Sequence, residues 1–131
     1  MRKRSLSTVK KQLDSVFSEY IRKRDADLEG FITCVSCKKR VHWKDSNCCH
    51  FVDRQHMATR YDEVNCNAGC VQCNAWDKGF HIYEYQKFLD NKYGPGTSET
   101  LMKMRHFTIK FSVSELEEKI KYYKQLNKQL L

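Results

Sequence analysis

Two Cys-x-x-Cys pairs constrain this chain more than any other feature of its sequence. The first consists of Cys34 and Cys37 and the second of Cys70 and Cys73, and 32 residues separate the two. Two intervening residues let both thiolates of a pair reach one ion, and two such pairs complete the tetrahedral ligand set of a structural zinc site. A single pair could serve redox chemistry, but no βαβ pattern surrounds either one. The sequence therefore predicts a structural zinc site formed by these four cysteines.

The charge balance indicates a polyanionic partner. The 131 residues include 24 Lys and Arg against 16 Asp and Glu, a formal net charge of +8, which favours nucleic acid over a membrane surface. No stretch approaches the roughly 20 apolar residues of a membrane span, and the N-terminal residues lack the apolar run of a signal peptide. Seven cysteines without such a signal favour metal binding in a reducing compartment over a disulfide framework. We therefore expect a nucleic-acid-binding protein without a membrane segment.

Hydrophobic spacing divides the chain into helical ends and a cysteine-rich middle. Apolar residues recur every three or four positions near the N-terminus and again near the C-terminus, as on one face of a helix. Ser114 and Glu117 have the spacing of a helix capping box. In chain order the pattern predicts a helix over 6–21, strands at 30–33 and 50–52, a helix over 74–88, a turn at 94–98 and a helix over 114–130.

Three polar residues in and after the insert between the cysteine pairs form a recognisable series. His50 and Asn65 lie between the pairs, and Asn74 follows Cys73 directly. The series resembles the HNH, or ββα-metal, nuclease motif in the variant with asparagine at the third position. That resemblance implies that His50 activates water, that Asn65 fixes the hairpin, and that Asn74 binds a divalent ion.

A longer series of residues follows the same order along almost the whole chain. Its members are 17–25, Cys34, Cys37, Trp43, His50, Phe51, Arg54, 60–65, 70–74, Gly79 and, weakly, Tyr93 and Gly94. This series resembles the phage NinG (Rap) recombination proteins. The zinc-containing phage recombination endonuclease VII is similar more distantly, through its cysteine pairs and Asn74. The resemblance to the NinG proteins implies a structure-selective DNA endonuclease that acts on branched intermediates of Holliday junction type, in the cytoplasm of the host cell.

The residue patterns and the family resemblance together give the expected fold class. We expect one α+β domain over 1–131, with a small zinc-stapled ββα-metal (HNH) core flanked by N- and C-terminal helices. Its parts are a basic N-terminal helix over 1–29, the zinc and HNH core over 30–93 and a C-terminal helical arm over 94–131.

The sequence offers several candidate ligands for a catalytic ion. Asn74 offers one amide oxygen to Mg²⁺ or Mn²⁺, and such ions usually take further oxygen ligands. Many HNH enzymes have an acidic residue or histidine directly before the catalytic histidine, where this chain has Cys49, and a thiol is a poor ligand for Mg²⁺. Asp53 or Asp45 could supply the missing oxygen, or phosphate and water could complete the shell. Strand alternation argues against Asp53 facing the same way as His50.

Basic residues near the predicted site are candidates for phosphate contacts. Arg54 and Arg60 flank His50 and could bind the phosphates on either side of the cleaved bond, although each could equally be a solvated surface charge. An ordinary surface ion pair between Asp53 and Arg54 is a further alternative. The N-terminal helix adds Lys10, Lys11, Arg22 and Arg24.

Two functions remain open on this sequence. The first is a metal-dependent endonuclease with His50 as general base, and the second is a non-catalytic, zinc-stabilised DNA-binding accessory module of recombination. The order of His50, Asn65 and Asn74 favours the enzyme, because a binding module does not require it. A homodimer would suit two symmetric cuts, and recombination proteins are candidate partners.

The three remaining cysteines are assigned no function. Cys48, Cys49 and Cys66 are simplest as small buried side chains. A second metal bound by Cys48, Cys49 and His50 is conceivable, but the spacing matches no recognised motif.

Overall fold

The computed structural model describes residues 3–75 and 78–130. It confirms a small α+β fold with helices around two two-stranded antiparallel sheets. Within the described ranges, no helix has both the length and the apolar character needed to cross a membrane. The elements are α1 (Leu6–Arg24), β1 (Phe31–Thr33), β2 (Arg40–His42), a short 3-10 helix (Trp43–Asp45), β3 (Ser46–His50), α2 (Met57–Arg60), β4 (Cys66–Cys70), α3 (Val71–Ala75), α4 (Lys78–Tyr93), α5 (Thr97–Met104) and α6 (Val113–Gln129).

Helix α1 forms where the N-terminal apolar spacing predicts it. Ser5 caps the helix, and its hydroxyl oxygen accepts a hydrogen bond from the backbone N–H of Thr8 at 3.1 Å. Four residues at four-residue spacing bury one face of the helix against α6, and this contact forms the first apolar cluster of the core. Its members on α1 are Val9, Leu13, Phe17 and Ile21, and those on α6 are Leu116, Ile120 and Tyr123.

The C-terminal helix begins slightly earlier than predicted. The capping box is formed by Ser112 and Glu115, with both of its hydrogen bonds at 3.1 Å, and not by Ser114 and Glu117. The same spacing occurs twice in this segment. The earlier start includes Val113 in the first turn, where it packs against the α1–α6 cluster. Tertiary burial therefore decides between two equivalent caps.

Strands β3 and β4 form the hairpin that carries the predicted site. Their antiparallel register places His50 opposite Cys66 at one end and Ser46 opposite Cys70 at the other. The strand predicted at 50–52 ends instead at His50, the last residue of β3. Beyond it, the backbone N–H groups of Phe51 and Val52 donate to the main-chain and side-chain oxygens of one residue, Asn65.

The hairpin lies between two apolar clusters. Cys66, with Cys48 packed against it, joins the α1–α6 cluster, whereas Cys49 joins a second cluster on the side of α4 and α5. This division follows from strand alternation, which sends neighbouring residues of β3 to opposite faces. The second cluster consists of Val35, Cys49, Phe51, Val52, Tyr85, Leu89 and Leu101.

In the region predicted as one helix over 74–88, α3 is described up to Ala75 and α4 from Lys78, and residues 76 and 77 lie outside the described residues. The predicted turn at 94–98 is short, because Gly94 and Gly96 adopt positive φ of 112° and 89° and α5 begins directly afterwards. The Asp90 carboxylate accepts bonds from the N–H and the hydroxyl of Ser98, both at 2.8 Å, and so fixes α5 to α4.

The buried hydroxyl of Tyr85 should stabilise the hairpin. It lies 2.6 Å from the Cys49 carbonyl oxygen and 3.0 Å from that of Asn65, and it accepts a bond from the Asn67 side chain at 3.2 Å. Tyr85→Phe keeps the ring but leaves these groups without their partner, so we expect a loss of about 1–3 kcal/mol in the free energy of unfolding. Urea denaturation measures it, and an unchanged midpoint would contradict the role of this hydroxyl.

Candidate functional site

The four predicted zinc ligands come together in space. The Sγ atoms of Cys34, Cys37, Cys70 and Cys73 all lie within 4.8 Å of one another. The first two follow β1, the third ends β4, and the fourth lies on α3. This four-cysteine cluster could bind a zinc ion, because a closed set of four sulfur donors is the ligand set of structural zinc.

Backbone N–H groups point at two of the four sulfurs in the cluster and favour the thiolate of Cys34, whereas burial raises the pKa of Cys70 and of Cys73. The N–H groups of Ser36 and Cys73 donate to the Sγ atoms of Cys34 and Cys70, each at 3.4 Å. Burial raises the pKa of Cys34, but hydrogen bonds from the backbone of Cys70, Ser36 and Cys37 outweigh that effect and lower this pKa to about 7. Gly69 is required here, because an added Cβ would lie 2.7 Å from the Cys49 sulfur.

A cleft of about 640 Å³ opens between α1, the end of β3 and the start of α4. Four of the predicted site residues line it, namely His50, Asp53, Arg54 and Asn74. The remaining lining residues are Asp14, Phe17, Ser18, Asn47, Cys48, Phe51, Lys78, His81 and Ile82.

His50 is half-buried at the wall of the cleft. Its Nε2 lies 3.0 Å from the Arg60 carbonyl oxygen, which can only accept a hydrogen bond, so Nε2 carries the proton and Nδ1 has the free lone pair. Burial is the main cause that lowers the pKa of His50 below its ordinary 6.5, and the charges of Arg54 and Arg60 act in the same direction. Asp14 and the Arg60 carbonyl oppose the shift. The imidazole is therefore neutral at neutral pH, the form that accepts a proton.

Asn65 lies behind the cleft wall and is completely buried. Its amide oxygen accepts from the Val52 N–H at 2.8 Å, and its amide nitrogen donates to the carbonyl oxygens of Val52 and Thr59 at 3.0 and 3.1 Å. These bonds fix the segment that follows His50, so Asn65 positions the histidine without lining the cleft.

The candidate ligands of a divalent ion differ in how exposed they are. Asn74 is half-buried on α3, whereas the Asp53 side chain is 72% exposed at the rim and accepts a bond from the Gln55 N–H. Asp45 is not among the lining residues of the cleft. Asp53 also belongs to neither group of three or more Cys, His, Asp and Glu ligands in residues 3–75 and 78–130. Its role as a metal ligand therefore stays a prediction.

Asp14 is a site residue that the sequence reasoning missed. It extends from α1 into the cleft, and its carboxylate oxygens accept from Nε and Nη2 of Arg60 at 3.0 and 2.5 Å. The pair aligns the backbone of Arg60, whose carbonyl oxygen holds His50. The available signal was one of only two acidic residues on a strongly basic helix, one turn after Lys10 and Lys11.

The predicted DNA contacts fall into two sets. Arg24 and Arg60 already bind groups within the protein. Arg24 donates to the carbonyl oxygens of Glu63 and Cys66 and to the side chains of Asp25 and Asn67. Arg60 donates to the carboxylate of Asp14. Arg22 is half-buried between Ser18 and Trp43. In contrast, Arg54 and Lys11 are exposed and Lys10 is half-exposed. Lys78, exposed at the cleft, was not foreseen.

Loss of one thiolate should disrupt the region around the four-cysteine cluster. We expect Cys70→Ala to be largely unfolded there, because structural zinc supplies about 10–16 kcal/mol, as much as the total stability of most domains. Far-UV circular dichroism and thermal melting measure the effect. Cys49→Ala, which removes a neighbouring buried sulfur outside the cluster, is the control, and equal melting of the two variants would contradict the structural role.

Comparison with known proteins provides the family. All residues of the chain, 1–131, match the family described as "Bacteriophage Lambda NinG protein". No curated protein and no solved structure shows a significant match to the chain. Because the match extends from the first residue to the last and includes the four-cysteine cluster, the chain belongs to the bacteriophage lambda NinG protein family.

Proposed function

We propose that this protein is a metal-dependent, structure-selective endonuclease that hydrolyses phosphodiester bonds in branched DNA recombination intermediates. Family membership supports a role related to phage recombination. The observation that carries the catalytic part is His50 itself, a neutral histidine at the wall of a cleft, with Nε2 bound to the Arg60 carbonyl oxygen. A histidine held in this tautomer is prepared to take a proton at Nδ1.

Phosphodiester hydrolysis requires an activated water, a neutralised phosphate and a stabilised leaving oxygen. Nδ1 of His50 accepts the proton of the attacking water, and the resulting imidazolium keeps its Nε2 proton on the Arg60 carbonyl oxygen. The positive charge is partly balanced by Asp14, which raises the pKa of His50. Asn65 keeps the backbone around this histidine fixed, so the base loses little freedom when substrate binds.

The cleft also contains oxygen donors that suit a hard divalent ion. Asn74 and Asp53 would hold Mg²⁺ or Mn²⁺, which when bound polarises the phosphate and stabilises the leaving oxygen. The thiol of Cys48 on the same wall is a poor ligand for these ions. Two protein ligands suffice where phosphate and water oxygens complete the shell, as is usual for Mg²⁺.

The basic residues around the cleft would bind the DNA backbone. Arg54 and Lys78 are exposed on the lining of the cleft. Lys10 and Lys11 lie one turn before Asp14 on α1 and extend this charge along the helix. A basic track on two sides of a cleft suits a branched substrate, because two DNA arms can be contacted at once.

His50→Ala should abolish cleavage while DNA binding persists. With Mg²⁺ or Mn²⁺, we expect wild-type protein to nick a synthetic four-way junction and the variant to be slower by roughly 100-fold or more, the usual contribution of a general base. His106→Ala, which changes an exposed histidine outside the cleft lining, should cut at the wild-type rate. Gel electrophoresis of end-labelled junctions measures the rates, and band shifts measure binding.

Two outcomes would contradict this proposal. Equal cleavage by wild-type protein and His50→Ala would exclude His50 as the base. Binding without cleavage by wild-type protein, on branched, duplex and single-stranded DNA with each metal, would favour the non-catalytic accessory module instead.

Arg54→Ala should weaken junction binding and lower its salt dependence. Loss of one phosphate contact reduces the slope of log affinity against log salt by about one. Arg40→Ala is the matched control, since Arg40 is an exposed arginine on β2 that pairs with Asp27 and is not part of the cleft lining. Fluorescence anisotropy across a salt series gives both slopes, and identical slopes for the two variants would exclude Arg54 as a phosphate ligand.

A further inference from the structure

A second group of metal-binding side chains lies at the wall of the cleft. The Sγ atoms of Cys48 and Cys66 and a ring nitrogen of His50 all lie within 4.8 Å of one another. None of these three residues belongs to the four-cysteine cluster. We propose that Cys48, His50 and Cys66 form a second zinc site, and that zinc bound there removes His50 from catalysis.

Strand pairing produces this arrangement. Cys48 and His50 are two residues apart on β3 and therefore face the same side of the hairpin, and Cys66 is the direct partner of His50 on β4. Cys49 lies between the first two in sequence but faces the opposite side, in the second apolar cluster. The site thus differs from the set Cys48, Cys49 and His50, because alternation excludes Cys49.

The donor set selects the ion. Two sulfurs and one imidazole nitrogen favour zinc over Mg²⁺ or Ca²⁺, and two thiolates neutralise its charge. Cys66 is completely buried, whereas Cys48 and His50 line the cleft. Three protein ligands with one side toward a cleft leave the fourth position for water.

The surroundings of His50 also fit a metal ligand. A ligating histidine usually donates its other ring N–H to a carbonyl or carboxylate, which fixes its orientation. His50 makes this bond through Nε2 to the Arg60 carbonyl oxygen, and the two bonds from Arg60 to Asp14 hold that backbone in place. Because this bond occupies Nε2, Nδ1 is the nitrogen that we assign to zinc.

The consequence for activity rests on the proposed function. Nδ1 is the same atom that would accept the proton from water, and one lone pair cannot serve both purposes. Bound zinc and general-base catalysis by His50 are therefore mutually exclusive. Zinc at this site would act as a reversible inhibitor, distinct from the structural zinc of the four-cysteine cluster.

Metal content tests the site without any measurement of activity. Protein kept reduced, saturated with Zn²⁺ and passed through a desalting column should contain about two zinc ions per chain, one for each group of ligands. Cys48→Ala should retain about one zinc and a wild-type circular dichroism spectrum, because Cys48 is only half-buried. Cys49→Ala should retain about two. One zinc ion in wild-type protein, or two in Cys48→Ala, would overturn the site.

Cobalt substitution identifies the ligands independently of folding. Replacement of zinc by Co²⁺ should add ligand-field and thiolate charge-transfer absorption from a site with two sulfurs and one nitrogen. This component should be lost in Cys48→Ala and in His50→Ala, whereas the signal of the four-cysteine cluster persists in both. Identical spectra for wild-type protein and the two variants would overturn the assignment.

Cleavage assays test inhibition separately. In Mg²⁺, added Zn²⁺ should lower junction cleavage by wild-type protein and Cys49→Ala at least tenfold, each compared with its own zinc-free rate. Cys48→Ala should lose less than half of its rate at the same Zn²⁺ concentration. Equal inhibition of all three would overturn the inhibitory role and indicate displacement of Mg²⁺. If wild-type protein cuts no DNA, the proposed function fails, while metal content and spectra still decide whether the zinc site exists.

Discussion

The register of β3 against β4 is the constraint on which the rest of this structure depends. A slip of one residue would move His50 and Cys48 to the opposite face and destroy the arrangement of the cleft. Two interactions pin the register from opposite ends. The four-cysteine cluster includes Cys70 at the last residue of β4, and the buried side chain of Asn65 binds the backbone just beyond β3. The site is therefore precise because the short hairpin is fixed at both ends, and not because its strands are long.

The sequence predicted those parts of the fold in which one local pattern decides the outcome. The four ligands of the four-cysteine cluster followed from spacing alone, and α1 followed from an apolar repeat that its packing against α6 satisfies. Helix α5 was missed because it has only eight residues and its position depends on the contact between Asp90 and Ser98. The cap of α6 was misplaced because Ser112 and Ser114 carry the same local signal. Only tertiary packing separates the two.

Basic residues show a different limit of sequence reasoning. Charge and position made Arg24 and Arg60 equal to Arg54 as candidates for DNA contact. In the folded protein, however, Arg24 binds carbonyl oxygens of β4 and the preceding loop, and Arg60 pairs with Asp14. A guanidinium near the core is stable there when its partners accept hydrogen bonds from several of its five N–H donors. For Arg24 and Arg60 most of these partners are distant in sequence. Spacing along one helix therefore cannot distinguish an arginine that supports the fold from one that contacts a ligand.

The same distance in sequence explains why the sequence grouped Cys48 and His50 with Cys49 and not with Cys66. Cys48 and His50 are close together, but Cys66 joins them only through the pairing of β3 with β4. Two kinds of donor atom therefore lie in the cleft with His50. Oxygen donors at Asn74 and Asp53 suit a hard ion next to a free imidazole, whereas sulfur donors at Cys48 and Cys66 suit a soft ion bound to it. Because zinc would occupy the lone pair with which His50 accepts a proton, the zinc concentration relative to the affinity of this site would decide whether His50 is free to act as a base.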